Sequence, residues 1–337
     1  MPTPSGSDPL TGPSATLETL RRRSVLLSAV RAFFTSQGYW EVETPILSRD
    51  TCVDAWLNPF SVPWGNRQPG YLQTSPEFAL KRLMAHGAGR VFEIARVFRQ
   101  DEVGVRHNPE FTMIEWYAEQ TDDHAQMDLV ENLVTSLAKS ASNWSRRAAE
   151  LPDRFQRLTY DQAFIESIGL SPGTASLEQL HQAALATGQT LPAGLDADRD
   201  GLLNFLLTEC VEPELKRRRW VFVYDFPASQ AALARVRPDP VPVAERFELY
   251  LDGMEICNGY HELTDADELL SRMRQQNTLR RQAGLPPLPE SSRLLEAMRS
   301  PGLPDCSGVA LGFDRLLMWC LQRTSIQQVL AFPFDRA

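Results

Sequence analysis

The clearest pattern of apolar and polar positions along the chain lies between Phe92 and Tyr117. Apolar residues recur at every second position in two runs, which predicts two β-strands joined by a loop. Such a loop is longer than a tight turn, and a long charged loop in a compact domain is often built to bind a charged ligand. The alternative is a solvated loop whose charges are incidental. Its charged residues are Arg99, Asp101, Glu102, Arg106 and His107.

Apolar residues at helical spacing predict helices over residues 17–38 and 123–139. Residues 150–220 mix short helical patterns with Pro and Gly breaks, and we interpret them as a helical insertion packed on the core. Residues 220–262 carry strand signals, and a Gly-rich strand leads into a helix over 308–321. Because no βαβ alternation occurs, the pattern indicates an α+β fold with a mostly antiparallel sheet flanked by helices.

Composition narrows the class of protein. Residues 1–16 are rich in Pro, Ser, Thr and Gly, which predicts a disordered tail. The chain has 337 residues, is 43% hydrophobic and carries a formal charge of −9. That charge argues against a main task of holding a nucleic acid backbone and fits a basic substrate or partner. Five scattered cysteines without a CxxC pair indicate a reducing cytosol, and no apolar run approaches the ~20 residues that span a bilayer.

An Asp-Gly turn at 252–253, between two apolar runs, predicts a β-hairpin. With a two-residue turn, Tyr250 pairs with Glu255 and Glu248 pairs with Cys257. Glu248 and Glu255 would then be diagonal neighbours on one face, with Cα atoms ~7–8 Å apart. Two such carboxylates could hold Mg²⁺ against a polyphosphate. The alternative is a pair of solvated glutamates.

The Gly-rich unit near the C-terminus places Asp314 and Arg315 in the first turn of its helix. Gly308 and Gly312 would let a ligand approach the backbone closely. Arg315 would add a permanently charged donor for a phosphate. The alternative is a helix that begins with an Asp-Arg ion pair.

Several carboxylates lie beside aromatic residues along the chain. Such neighbours suit ammonium groups, because ion pairing and cation–π attraction act together. Any one of these glutamates could simply cap or solvate a strand end, but the combination favours an ammonium pocket. The residues are Glu77, Glu115, Trp116, Tyr117, Glu255, Asn258, Tyr260, His261 and Glu262.

Three segments, in their order and spacing, resemble the signature motifs of class II aminoacyl-tRNA synthetases. Motif 1 is the helix–strand–Pro unit at 20–45, motif 2 is the Arg99 loop, and motif 3 is Gly312-Phe313-Asp314-Arg315. Four longer segments resemble lysyl-tRNA synthetase in particular: LQTSPEFALKRL (72–83), HNPEFTMIEWY (107–117), ERFELYLDGMEICNGYHEL (245–263) and GVALGFDR (308–315). A lysyl-tRNA synthetase carries an N-terminal anticodon-binding OB domain, for which no room is expected before residue 18.

The chain is more similar to the stand-alone elongation factor P (R)-β-lysine ligases. Ser75 stands where lysyl-tRNA synthetases usually have Ala, and Ala310 where they usually have Gly. The resemblance covers about residues 18–337 and implies a catalytic domain over 17–337, with the 150–220 insertion between motifs 2 and 3. It is carried by FVYDFPASQAALA (222–234), VAERFELY (243–250), LPDCSGVALG (303–312) and Asp335-Arg336-Ala337.

The resemblance implies ATP-dependent activation of (R)-β-lysine to β-lysyl-adenylate and its transfer to a lysine ε-amine of elongation factor P. It implies a cytoplasmic homodimer whose two-fold interface is formed by motif 1. Neither membrane association nor tRNA as a partner is expected. A truncated lysyl-tRNA synthetase-like enzyme that activates α-lysine for a tRNA or small acceptor is the alternative. A non-catalytic binding module is a third reading, disfavoured because the residues that the mechanism needs are present.

The resemblance also implies a role for individual residues. Arg99 and Arg315 would be catalytic, and Glu248 and Glu255 would hold Mg²⁺. ATP would be bound by Arg99, Gln100, Asp101, His107, Asn108, Glu255, Ile256, Gly312 and Arg315. The amino acid pocket would comprise Ser75, Pro76, Glu77, Glu115, Tyr117, Asn258, Tyr260, Glu262 and Ala310. Departures from the family pattern are Gln100-Asp101 for Asn-Glu, Tyr260 for Phe, and Phe313 for a smaller aliphatic residue.

Overall fold

The computed structural model describes residues 11–192 and 194–337. Within these ranges, a mixed sheet of nine strands forms the centre of the fold, beside a smaller sheet of three. The strands are β1 (Trp40–Glu41), β2 (Leu47–Ser48), β3 (Ser61–Trp64), β4 (Arg67–Leu72), β5 (Arg90–Phe98), β6 (Glu110–Glu119), β7 (Gln156–Thr159), β8 (Trp220–Pro227), β9 (Val236–Arg237), β10 (Val243–Leu251), β11 (Met254–His261) and β12 (Cys306–Gly312).

The strand order of the large sheet is β1-β5-β6-β12-β11-β10-β8-β7, and β9 pairs with β10. The inner pairs are antiparallel, whereas β1 runs parallel to β5 and β7 runs parallel to β8 at the two edges. The predicted α+β fold with a mostly antiparallel sheet is therefore confirmed. The small sheet, ordered β2-β4-β3, was not predicted.

The α-helices lie between and around these strands. Thr16 caps the first helix by accepting a hydrogen bond from the Thr19 N–H, and Gly38 follows its end with a φ of 78° that suits glycine. The helices are α1 (Leu17–Ser36), α2 (Glu77–Ala85), α3 (Asp123–Ser140), α4 (Arg147–Glu150), α5 (Tyr160–Ile168), α6 (Leu177–Ala186), α7 (Arg199–Leu206), α8 (Glu212–Arg218), α9 (Ala266–Gln282), α10 (Arg293–Ala297) and α11 (Phe313–Leu321). No helix of the described ranges is long and apolar enough to cross a membrane.

The two faces of the large sheet differ in chemistry. On β6, Ile114 and Trp116 are fully buried in a core that α1, α3 and α11 cover. Their neighbours Glu115 and Tyr117 are also buried but must point to the opposite face, because side chains alternate along a strand. The alternation therefore separates an apolar layer from a polar one that includes buried carboxylates.

Two expectations about the chain's ends and insertion need correction. Residues 1–10 lie outside the described residues, but Ser14 and Ala15 donate backbone hydrogen bonds to Ala331 and Leu330. Ser14 and Ala15 are therefore part of the fold, and the predicted disordered tail extends too far. The 150–220 insertion is mostly helical but also supplies β7, which extends the large sheet beside β8.

The Asp-Gly hairpin forms as predicted, with Tyr250 opposite Glu255. The predicted pairing of Glu248 with Cys257 is wrong, because the register shifts just before Tyr250 and places Glu248 opposite Asn258. An extra residue on one strand of a pair locally interrupts the alternation of faces. This bulge brings Asn258 onto the face that carries Glu248 and Glu255.

Candidate active site

A cavity of about 960 Å³ opens beside β6, β11 and β12. Most of the predicted site residues line it: Ser75, Glu77, Arg99, His107, Asn108, Glu115, Tyr117, Glu255, Ile256, Asn258, Tyr260, Glu262, Ala310, Gly312 and Arg315. Four predicted residues, Pro76, Gln100, Asp101 and Glu248, are not part of this lining. One cavity thus collects residues that are far apart in the chain.

The arginine end of the cavity is formed by Arg99, His107 and Arg315. Nη1 of Arg315 donates to the Glu255 carbonyl oxygen at 3.2 Å and to its carboxylate at 3.4 Å. Nη2 of Arg315 lies 2.6 Å from Nε2 of His107. Desolvation and the Arg315 charge hold the pKa of His107 below its usual range, so the neutral ring accepts this hydrogen bond.

Asp314 does not pair with the neighbouring Arg315. It is buried and accepts hydrogen bonds from Arg23 of α1 and from the Thr112 N–H of β6. The alternative of a simple Asp-Arg pair at the helix start is therefore wrong. Instead, Asp314 anchors the start of α11 and leaves Arg315 to project into the cavity.

Arg99 is held at the mouth of the hairpin loop. Its Nε donates to the Thr74 carbonyl oxygen at 3.4 Å, and its guanidinium carbon lies 5.1 Å from the centre of the Phe111 ring. Glu102, which was not among the predicted site residues, lies 3.6 Å from Nη1 of Arg99 and 3.3 Å from Nε2 of His107. Its place in the charged loop was the only sequence signal for it.

Two further predicted residues of the loop, Asp101 and Asn108, have structural partners. Asp101 is exposed, and its carboxylate is 3.4 Å from the Asn58 amide nitrogen. Asn108 donates to the Glu110 carbonyl oxygen and accepts from the Phe334 N–H, so both groups of its amide are engaged. Asn108 therefore ties the loop to the C-terminal segment.

The two carboxylates predicted to hold a metal are those of Glu248 and Glu255. Glu248 is buried and accepts hydrogen bonds from Arg246 and the Tyr250 hydroxyl, each at 2.6 Å. Desolvation and the Glu248 charge raise the pKa of Glu255 above its usual range. A divalent cation would relieve the repulsion between these two groups.

The carboxylates of Glu248 and Glu255 suit a Mg²⁺ ion that is also bound by substrate phosphates, rather than a metal site made of protein ligands alone. Mg²⁺ is commonly held by one or two carboxylates together with substrate phosphates. In the part of the chain that the structure describes, no group of three or more His, Cys, Asp or Glu residues could hold a metal ion. Carboxylate oxygens that accept one hydrogen bond retain a lone pair for a cation.

The acidic end of the cavity is formed by Glu77, Glu115 and Glu262. Glu115 accepts hydrogen bonds from the Ser75 hydroxyl at 2.6 Å and from the Tyr117 hydroxyl at 2.8 Å. Desolvation and the Glu77 charge raise the pKa of Glu115 to about 8. Burial similarly raises the pKa of Glu262 to about 7. In the empty cavity these two carboxyl groups are readily protonated. A bound ammonium ion would favour their ionised form.

Sequence reasoning missed Lys81, which lies behind the acidic end. Its Nζ is 2.6 Å from a carboxylate oxygen of Glu77 and 2.6 Å from one of Glu262. The i, i+4 spacing of Glu77 and Lys81 on one helix was a signal that they could meet. Contact with Glu262, far along the chain, could not be read from spacing.

Gly308 lines the cavity and also accommodates a neighbouring ring. A Cβ atom there would lie 2.2 Å from Cε1 of Tyr117, so the missing side chain makes room for that ring. At Gly312 a Cβ would meet nothing nearer than 3.7 Å. Ala310, between them, lies opposite Glu115 on β6 and Asn258 on β11.

Fold and site together define the class of protein. A mostly antiparallel sheet carries a charged hairpin loop, a Gly-rich strand that enters a helix, and a cavity with arginines at one end and carboxylates at the other. The family of class II tRNA synthetases (D, K and N) matches residues 13–336. The chain is therefore a class II synthetase-type catalytic domain.

Curated relatives narrow the family further. Proteins named elongation factor P–(R)-beta-lysine ligase from Yersinia enterocolitica and Vibrio atlanticus are each 42% identical to this chain, over 332 and 330 residues. A protein of the same name from Vibrio campbellii is 43% identical over 332 residues. Each match covers 96% of this chain and 98% of the relative. The chain belongs to the family of elongation factor P–(R)-β-lysine ligases.

Proposed function

We propose that this enzyme activates (R)-β-lysine with ATP and transfers the β-lysyl group to the ε-amine of a lysine on elongation factor P. The observation that carries the proposal is the single cavity with Arg99 and Arg315 at one end and three carboxyl groups at the other. The arginine end suits phosphates and a carboxylate, and the acidic end suits a substrate with two ammonium groups. The name of the relatives agrees with this assignment.

In the first step, a carboxylate oxygen of the amino acid attacks the α-phosphorus of ATP, and pyrophosphate leaves. Arg99 would neutralise the charge that develops on the α-phosphate, and Arg315 would bind the outer phosphates. Mg²⁺ held by Glu248 and Glu255 would reduce the repulsion between the phosphates and the attacking carboxylate. Ile256 and Gly312, which line the cavity beside Arg315, would border the nucleotide.

In the second step, the ε-amine of the acceptor lysine attacks the activated carbonyl carbon, and AMP leaves. The amide bond forms as the amine loses its proton, so no covalent intermediate with the enzyme is required. Catalysis then depends on holding the reacting groups close together in the correct orientation.

Two residues would distinguish β-lysine from α-lysine. The Ser75 hydroxyl donates to Glu115, and Ala310 lies opposite Glu115 in the sheet. Both residues therefore adjoin Glu115, whose carboxyl group would bind one of the two substrate ammonium groups. A hydroxyl and a methyl group at these places would shift that ammonium relative to the reacting carboxylate.

The proposed function is tested by amino-acid-dependent ATP–pyrophosphate exchange with (R)-β-lysine, (S)-β-lysine and α-lysine side by side. We expect strong preference for (R)-β-lysine, followed by its transfer to purified elongation factor P. Preference for α-lysine together with salt-resistant charging of tRNA would instead support a lysyl-tRNA synthetase-like enzyme. Absence of exchange with all three would indicate a non-catalytic protein.

The assembly and location of the enzyme also remain proposals. Motif 1 of this class forms a two-fold interface, so we propose a homodimer. Elongation factor P acts in translation, which supports a cytoplasmic location. The net charge of −9 disfavours tRNA as a partner, because phosphate contacts come from basic residues.

A further inference from the structure

Lys81 is a buried ammonium group that the mechanism above does not use. Its side chain is 3% exposed, and those of Glu77 and Glu262 are 11% and 0% exposed. Lys81 does not line the cavity, whereas both of its partners do. A buried charge is retained only when its partners offset the loss of hydration, so this ion triad is a built feature of the pocket wall.

Glu262 is the member of the triad with unused bonding capacity. Nζ of Lys81 lies 2.6 Å from its Oε2 as an ion pair. Its Oε1 has no hydrogen-bond partner in the described residues, although the side chain is fully buried. A buried acceptor without a donor is costly, and a ligand ammonium in the cavity would supply one.

The charges of this region can be counted. Three carboxylates, Glu77, Glu115 and Glu262, and one ammonium, Lys81, leave a formal charge of −2 when all are ionised. That charge equals and opposes the charge of two substrate ammonium groups. Without Lys81 the same walls would hold three neighbouring carboxylates and no cation, so protonation of these groups would extend to higher pH.

Glu115, whose pKa is raised to about 8, titrates in the same range as Glu262, whereas the tyrosine and cysteine groups around the triad stay neutral near pH 7. Burial raises the pKa values of the Tyr117 and Tyr260 hydroxyls and of the Cys52 and Cys306 thiols. Burial opposes the charge of Lys81 itself, but Glu262 and Glu77 outweigh it and raise the pKa of Lys81 above its usual range. The ammonium therefore keeps its charge over the whole pH range in which the carboxyl groups titrate.

We propose that Lys81 is a positioning residue for the amino acid substrate: its ammonium holds Glu77 and Glu262 in place and favours the ionised form of Glu262, which matches the pocket to a substrate with two ammonium groups. This inference rests on the proposed function. It assigns to Lys81 an effect on the binding of the amino acid and none on ATP.

The effect of removing the charge depends on pH in a defined direction. The charge of Lys81 lowers the pKa of Glu262, which is about 7 with Lys81 in place. In Lys81→Met the Glu262 carboxyl group keeps its proton up to a higher pH. Binding of a substrate ammonium group must then displace that proton. The KM for the amino acid therefore rises at neutral pH and recovers as the pH passes the raised pKa.

The experiment measures KM and kcat for (R)-β-lysine and KM for ATP by pyrophosphate exchange between pH 6 and 9. For Lys81→Met we expect a KM for the amino acid about 5-fold or more above wild type at pH 7 and within about 2-fold at pH 9, since one pH unit changes an ionised fraction by up to 10-fold. Lys81→Arg keeps the charge and should keep the wild-type pH profile. Lys81→Gln, which can still donate hydrogen bonds, should behave like Lys81→Met.

The outcomes separate this inference from the proposed function. Wild-type enzyme without exchange on any lysine would overturn the proposed function itself. Active wild-type enzyme with an unchanged pH profile in folded Lys81→Met or Lys81→Gln would overturn the role of Lys81, and so would loss of kcat or ATP affinity alone. Melting curves establish which variants are folded, and Lys81→Gln replaces Lys81→Met if the methionine variant is not.

Discussion

At the scale of single residues, the charged groups of the cavity are held by partners before any ligand binds. Arg315 contacts Glu255 and His107, and Glu115 accepts hydrogen bonds from Ser75 and Tyr117. Such contacts fix side-chain orientation, which reduces the reorganisation needed during the reaction. The cavity is therefore preorganised, and the effect of removing one charge can be predicted.

Glu255→Gln should nearly abolish adenylate formation. The substitution keeps the shape of the side chain but removes one of two carboxylates proposed for Mg²⁺ and the partner of Arg315. Loss of one preorganised charge-stabilising group costs on the order of 10²–10³-fold in rate. ATP–pyrophosphate exchange measures the loss directly.

Asp252→Asn provides the matched control on the same hairpin. Asp252 pairs with Arg147 and Arg219 outside the cavity, and its φ of 50° is one that Asn adopts readily. Exchange in this variant should stay near wild type. Near-normal exchange in Glu255→Gln would refute the metal role of Glu255.

At the scale of elements, β12 shapes the acidic end through one of its glycines. Gly308→Ala would place a Cβ 2.2 Å from the Tyr117 ring and force the ring, which donates to Glu115, to move. The KM for the amino acid should rise about 10-fold or more while the KM for ATP changes little. Loss of one buried hydrogen bond accounts for a change of this size.

Gly312→Ala on the same strand is the comparison for this prediction. Its Cβ would meet only ordinary contacts, so the fold should be retained. We expect its KM for the amino acid to stay near wild type. An unchanged KM for the amino acid in Gly308→Ala would show that the Tyr117 ring does not position the substrate.

At the scale of the whole molecule, we expect a homodimer with twice the chain mass of 37.9 kDa. Helix α1 exposes Leu17 and Val25, which are 64% and 49% exposed and would suit burial in an interface. Val25→Asp should lower the mass measured by light scattering towards that of one chain. Leu185→Asp on α6, where the side chain is also 49% exposed, should leave the dimer intact.

A monomer mass for the wild-type protein at micromolar concentration would contradict this prediction. A dimer that persists in Val25→Asp would place the interface elsewhere than on α1. Either result leaves the chemistry of the cavity untouched, because the residues proposed for it lie on one chain.

Local patterns were sufficient for much of the fold. Period-two runs predicted β5 and β6, helical spacing predicted α1 and α3, and the Asp-Gly turn predicted the β10–β11 hairpin. These elements depend on neighbouring residues, so their signal is written along the chain. Most residues that carry charge at the two ends of the cavity were likewise found from their motifs, although Glu102 was not.

Long-range packing decided the rest. The pairing of β7 with β8 and the contacts of Lys81 with Glu262 and of Asp314 with Arg23 join segments that are distant in sequence. The bulge that moves Glu248 opposite Asn258 lies within one hairpin, but no residue pattern announced it. Their energy depends on burial and on which neighbour the folded chain brings near, and no periodicity records that. The sequence by itself determined the elements and the chemical groups of this protein, and the tertiary structure alone decided which groups meet and which are ionised.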